Sequence, residues 1–228
     1  MDSLQSADFW IGLIKIVWIN IILSGDNAVV IAMAARSLPP AQQQKAVLLG
    51  SGAAVALRIV LTIVAAKLLA LPYLQILGGL LLLWIGLQLL RVEDEDGGEA
   101  REYGTLLAAV HTILLADLVM SLDNVVAVAA AAQGSMVLLV LGLAISIPLV
   151  IFGSTLMIKL MERFPIIVML GAALIGWVGG ETIVSDASLK DVLAAEPWLQ
   201  YSAAAAGALF VVAAGRFLQR RAHAGAGH

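Results

Sequence analysis

The chain has no cysteine, three histidines, 6% aromatic residues and 13% charged residues. Without cysteine there is no disulfide, thiolate metal site, iron–sulfur cluster or cysteine nucleophile. Three histidines are too few for a multi-histidine zinc or copper cage. Thirteen Lys+Arg against sixteen Asp+Glu give a net charge of −3 and offer no basic surface to a nucleic-acid backbone. Charge is scarce overall, since a soluble domain carries about 25% charged and roughly 45–50% apolar residues. Here 61% of 228 residues are hydrophobic and the mean hydropathy is +1.00. This composition excludes a soluble fold, a disordered chain and a nucleic-acid binder. It leaves an all-α, polytopic membrane protein in contact with lipid.

A spanning helix takes about 20 mostly apolar residues. Seven runs are read as spans: Phe9–Ala35, Ala46–Leu69, Leu74–Leu90, Leu106–Gln133, Met136–Leu160, Pro165–Val184 and Leu199–Leu218. The third is short, while the first and fourth overrun a hydrocarbon core of ~30 Å, which tilt or a mid-membrane break would absorb. Nine basic residues gather at one set of helix ends: Arg36, Lys45, Arg91, Arg101, Lys159, Arg163, Arg216, Arg220 and Arg221. Lys67 and Lys190 lie at the other. The bias puts the N-terminus outside and the C-terminus in the cytoplasm of a bacterial plasma membrane. Residues 1–7 lack the positive start of a signal peptide, so the first run is expected to stay attached as a helix. The acidic stretch Glu93–Glu102 reads as a solvated cytoplasmic linker, with a weak cation-collecting loop as the sharper alternative. The tail from Arg220 to His228 reads as a disordered cytoplasmic end.

The chain repeats itself. Ser24-Gly25-Asp26-Asn27 in the first run reappears as Ser121-Leu122-Asp123-Asn124 in the fourth, at an offset of 97. Gly50 matches Gly142, Pro72 matches Pro165, Gly78 matches Gly171, Trp84 matches Trp177 and Gly86 matches Gly179, at offsets of 92 or 93. Each half then holds three spans, and an odd number inverts the second half relative to the first, as in many secondary transporters. The expected layout is one transmembrane domain, 1–228: repeat 1 over about 9–91, a linker over 92–105, repeat 2 over about 106–184, and an extra helix over 199–218. In that last helix, Ala203–Gly207 suits close helix contact and could support a homodimer.

Polar groups within the apolar runs carry the functional signal. Asp26, Asp117, Asp123 and Glu181 lie there, with Asn20, Asn27, Asn124, Gln88 and Arg58. Three aspartates facing lipid would cost roughly 8–10 kcal/mol on insertion scales, comparable to the whole stability of a typical protein, about 5–15 kcal/mol. They are expected to face protein, a counter-charge, a cation or water. Asn20, Ser24 and Asn27 share one helical face, and Asp117, Ser121 and Asn124 repeat that spacing. Asp26 and Asp123 lie about 120° away from these stripes. A break near Gly25 or Leu122 would swing them inward and free backbone carbonyls as further ligands. Gly25 favours such a break more than Leu122 does. Oxygen ligands without thiolate point to a hard divalent cation, Mg²⁺, Ca²⁺ or Mn²⁺. His111 and Met120 are softer neighbours, read as packed helix residues. Arg58 is either a fixed counter-ion for an aspartate or the group that balances the site when no cation is bound. Glu181 either guards an exit path or reaches the interface.

The paired S-x-D-N segments, Asp117 four residues before Ser121, and the seven-span layout resemble the TerC family of integral membrane proteins, in its compact subgroup without CBS domains. The resemblance covers about Phe9 to Val184 and extends in layout to the seventh span. It implies a relative of the LysE-type exporters that moves Mn²⁺ outward as substrate, some members being tied to tellurite resistance or to metal supply for secreted enzymes. Carried onto this chain, the metal-binding residues would be Asp26, Asn27, Asp117, Asp123 and Asn124, with Asn20, Ser24, Ser121, Arg58 and Glu181 as accessory candidates. Many relatives have an acid where this chain has Asn20, which removes one negative charge here.

No nucleotide-binding motif occurs, so a transporter of this sequence would run on an ion gradient or the membrane potential. Moving a divalent cation outward against 100 mV opposes about 2 × 2.3 kcal/mol, which makes proton antiport an attractive coupling. Two other classes compete. An intramembrane aspartyl protease would need a Gly-x-Gly-Asp segment, and neither S-x-D-N copy supplies one. A non-transporting membrane partner that handles metal would show no ion flux. The reading is therefore a transporter and not an enzyme.

Overall fold

The computed structural model of the protein describes the backbone of residues 7–68, 71–91, 105–132 and 134–225, and their side chains except at 7–8, 20–24, 65–67, 91, 123 and 219–225. The acidic linker and Gln133 lie outside the described residues, as do the side chains of Asn20, Ser24, Lys67 and Asp123. The described chain is helical throughout: α1 Ala7–Arg36, α2 Pro40–Leu68, α3 Leu74–Arg91, α4 Leu106–Ala132, α5 Met136–Arg163, α6 Ile166–Val184, α7 Lys190–Ala195 and α8 Trp198–Gly225, with a 3-10 turn at Ala187–Leu189. Among the described residues there is no strand.

Among the described residues, four stretches are long and apolar enough to cross a membrane: Pro40–Val64, Met136–Arg163, Ile166–Val184 and Trp198–Leu218. α4, bent by 66° between Leu106–Leu122 and Asn124–Ala132, makes a fifth if its two arms form one span. Shorter apolar stretches are Leu74–Leu90 in α3 and Phe9–Ile19 in α1. The outer surface is the apolar one: Trp18, Ile63, Leu77, Trp84, Phe152, Leu170 and Leu209 are all exposed. Hydrocarbon is the solvent that tolerates such a surface, and helices satisfy their own backbone within it. α8 continues to Gly225, past the expected end at Leu218, so the tail is helical over Arg220–Gly225. Arg and Ala are good helix formers, which explains the extension.

Local chemistry sets the element ends. Pro40 opens α2, where a missing N–H costs nothing. The Gln43 side chain donates to the carbonyls of Arg36 and Leu38, at 3.3 and 3.1 Å, closing the end of α1. Gly134 takes φ +79° after α4, a left-handed turn that suits glycine. Ser135 then caps α5, its hydroxyl accepting from Leu138 N–H at 3.3 Å.

Two helix groups pack together. In one, α1 lies along α5, α2 along α4, and the two pairs cross where α1 meets α4 and α2 meets α5. Both pairs run parallel, each through a glycine seat: Gly50 of α2 faces Ile113 of α4, and Gly142 of α5 faces Ile16 of α1. In the other group α6 lies between α3 and α8 at backbone contact, Gly79 against Gly179, Gly176 against Gly207, and Gly180 against Ala203. Small residues allow that approach, which drives helix association in lipid. Within the Ala203–Gly207 stripe, Ala203, Ala204 and Gly207 meet α6 of the same chain, while Ala206 is exposed. Gly78 against Val119, and Gly171 against Met33 and Val29, join the groups.

Candidate functional site

The first group encloses the charges. Arg58 on α2 and Asp117 on α4 are 4% and 6% exposed, and Ser121, one turn beyond Asp117, is fully buried. Arg58 Nη2 meets Asp117 Oδ1 at 2.5 Å. Arg58 Nε donates to Ser121 Oγ at 2.9 Å, and that hydroxyl donates to Asp117 Oδ2 at 3.1 Å. The three side chains close a ring in which both carboxylate oxygens are engaged. Packing of α2 on α4 sets this register: Gly50 faces Ile113 and Arg58 faces Ser121, each pair 63 residues apart. Thr62 Oγ1 donates back to the Arg58 carbonyl at 2.7 Å, which removes a second polar demand from the interior.

A buried ion pair adds little net stability, because its attraction is largely offset by desolvation. Removing one partner costs about 3–5 kcal/mol, because the other charge is left without compensation. Placing such a pair in a membrane interior therefore points to use of the charges.

Asp26 on α1 is half-buried. Its Oδ1 accepts from Asn27 N–H at 2.9 Å. Asn27 is buried and Asn124 half-buried. The structure thus gathers Asp26, Arg58, Asp117 and Ser121 within one helix group. For Arg58 it supplies what spacing could not: its partner is Asp117. Asp123, Asn20 and Ser24 have side chains outside the described residues. Among the described residues, no three Asp, Glu or His side chains gather in a way that could hold a metal. His111 is exposed and Met120 lies in the apolar core.

One expectation changes. α1 remains helical through Gly25, while α4 bends between Leu122 and Asn124, the other position at which a break was expected. Glycine permits a break without driving one, and helical glycine costs only about 1 kcal/mol. Glu181 stands apart from the charge cluster, its Oε1 accepting from Gln200 Nε2 of α8 at 2.6 Å.

One residue escaped sequence reading. Asp186, fully buried in the loop after α6, accepts from the backbone N–H of Tyr73 (2.9 Å), Gln75 (3.0 Å) and Ile76 (3.4 Å), and from the N–H and hydroxyl of Ser188 (2.9 and 2.7 Å). It caps the start of α3 from more than 100 residues away, where Tyr73 holds φ +67°. Burial acts to raise its pKa, but the Ser188 hydroxyl and the N–H groups of Ser188, Tyr73 and Ile76 prevail and hold it at about 2. The Asp-x-Ser turn at 186–188 was the available signal.

The chain is similar to known membrane proteins. It is 49% identical over 183 residues to the uncharacterized membrane protein YjbE of Bacillus subtilis (strain 168), covering 80% of this chain and 84% of that one. It is 26% identical over 198 residues to the inner membrane protein YoaE of Escherichia coli (strain K12), covering 78% of this chain but 38% of YoaE. The membrane protein YkoY of Bacillus subtilis (strain 168) is 22% identical over 211 residues, with 84% of this chain and 65% of that one covered. No solved structure matches. The model of the integral membrane protein TerC family matches residues 5–223, and the chain, a multi-pass integral membrane protein, belongs to that family.

Proposed function

We propose that the protein is a secondary transporter that exports a hard divalent cation, Mn²⁺ foremost, across the bacterial plasma membrane. Asp26, Asn27, Asp117, Asp123 and Asn124 supply the oxygen site, reached alternately from each side. The observation that carries this reading is the buried Arg58–Asp117–Ser121 ring, with Asp26 on the adjoining α1, enclosed by four helices whose outer faces are apolar. Charges so expensive to bury are retained where they handle charge.

A seven-span, three-plus-three inverted arrangement with α8 as the addition fits the packing. Exchanging α1 with α4 and α2 with α5 turns the α1–α5 pairing into the α4–α2 pairing. It also turns the Gly142–Ile16 seat into Gly50–Ile113, at offsets of 92 for the glycines and 97 for the isoleucines. Such a two-fold relation is what alternating access about a central site requires.

Thermal unfolding of the purified protein against Mn²⁺, Mg²⁺, Ca²⁺ and Zn²⁺ tests the reading. A ligand at 100 times its Kd stabilises by about 2.7 kcal/mol, so Mn²⁺ should raise Tm most and Zn²⁺ least. No stabilisation by any of the four would contradict a divalent-cation site.

A further inference from the structure

We propose that Arg58 is a tethered cation, resting on Asp117 whenever the transported ion is absent and displaced from it when that ion binds. The inference deepens the transport reading and rests on it.

A guanidinium does not lose its proton in proteins. The positive charge on Asp117 can therefore leave only by movement of the side chain. Arg58 is anchored at two nitrogens, Nη2 on Asp117 and Nε on Ser121, and the rest of its hold is a flexible stem. A cation drawn to Asp117 would meet a carboxylate whose two oxygens are already held by Arg58 and Ser121, and it would repel the guanidinium. Ligand and arginine compete for one oxygen group.

The opposite helix crossing argues that the pair is not needed as glue. The α1–α5 pair uses the same seat, Gly142 on Ile16, as the α2–α4 pair uses with Gly50 on Ile113. By the same offsets Val150 stands where Arg58 does, and Asn20 where Asp117 does. Arginine and acid are thus absent together from one crossing and present together in the other. A crossing of this kind forms without an ion pair, so the charge of Arg58 answers the charge of Asp117. With Arg58 in place, the carrier can return empty without exposing an uncompensated Asp117 to the membrane interior.

Proteoliposomes loaded with Mn²⁺ separate the two strokes. Net Mn²⁺ efflux requires the empty carrier to return, whereas exchange of Mn²⁺ for Mn²⁺ needs the loaded form alone. Arg58→Met should lower net efflux at least about tenfold relative to wild type while exchange stays within about threefold, because only the empty state lacks compensation. Arg58→Lys should recover part of the net efflux. Equal loss of both modes, or retention of both, would overturn the proposal. Should Arg58→Met not fold, Ser121→Ala decides: it removes one anchor of the guanidinium, so Mn²⁺ should bind about tenfold tighter, and unchanged or weaker binding would overturn the inference. Wild-type protein with neither efflux nor exchange would overturn the transport reading itself, and this inference with it.

Discussion

The two helix groups solve opposite problems with the same apolar alphabet. α3, α6 and α8 meet through Gly79, Gly176, Gly179, Gly180 and Gly207, backbone against backbone, with Glu181 satisfied by Gln200 near the C-terminal end of α6. Asp186 ties the head of α3 to the loop that follows α6. Among the described residues, nothing in that group is charged and deeply buried within a span. α1, α2, α4 and α5 instead use glycine at isolated seats and enclose Arg58, Asp117 and Ser121. Close packing of small residues leaves few alternative arrangements, whereas a long side chain on a hydrogen-bonded ring has several. The comparison assigns rigidity to the first group and the working charges to the second.

Four substitutions would break or sharpen that contrast. The largest effect belongs to the charge pair: Asp117→Leu alone should destabilise by about 3–5 kcal/mol, and Arg58→Met combined with Asp117→Leu should recover most of it. Thermal unfolding in detergent reads both. No recovery in the double variant would mean the ring is needed for packing as well as charge. Next is Gly180→Leu, whose side chain has no room against Ala203 of α8 and should cost about 1–3 kcal/mol or more by the same assay. A neutral outcome would show that α8 shifts freely and that the group is not rigid.

Asp186→Asn should act through pH. The carboxyl is held at about 2 in the folded protein, below its ordinary value of 3.8. A depressed folded pKa adds stability that is present above the ordinary value and is lost as pH falls through about 2. Wild type should therefore lose stability between pH 4 and pH 2 by more than Asp186→Asn does, roughly the window between the two pKa values. Parallel curves would remove Asp186 from the account of that region. The smallest effect is expected for Gly25→Ala, which meets nothing within 4 Å on a helical stretch and should gain roughly 0.5–1 kcal/mol. A loss would mean α1 has to open there.

Most of the helices were legible because length and hydropathy determine what lipid accepts, and each apolar run overlaps a helix over nearly all of its described residues. The charged positions were legible for the same reason, each being an exception to an apolar run. The partner of Arg58 was not, because helix register depends on which glycine receives which side chain, here Gly50 and Ile113. Of the two positions where a break was expected, glycine favoured Gly25, and the bend lies in α4 beside Leu122 instead. The role of Asp186 was not legible because it is completed by N–H groups 110 to 113 residues distant.

The most direct test of a cation site among the charged helices is Mn²⁺ flux through reconstituted Asp26→Asn, which leaves the Arg58–Asp117–Ser121 ring intact. Flux should fall to the level of protein-free liposomes while the thermal transition stays near that of wild type. Flux equal to wild type would show that the ion does not pass Asp26, and that the site lies elsewhere.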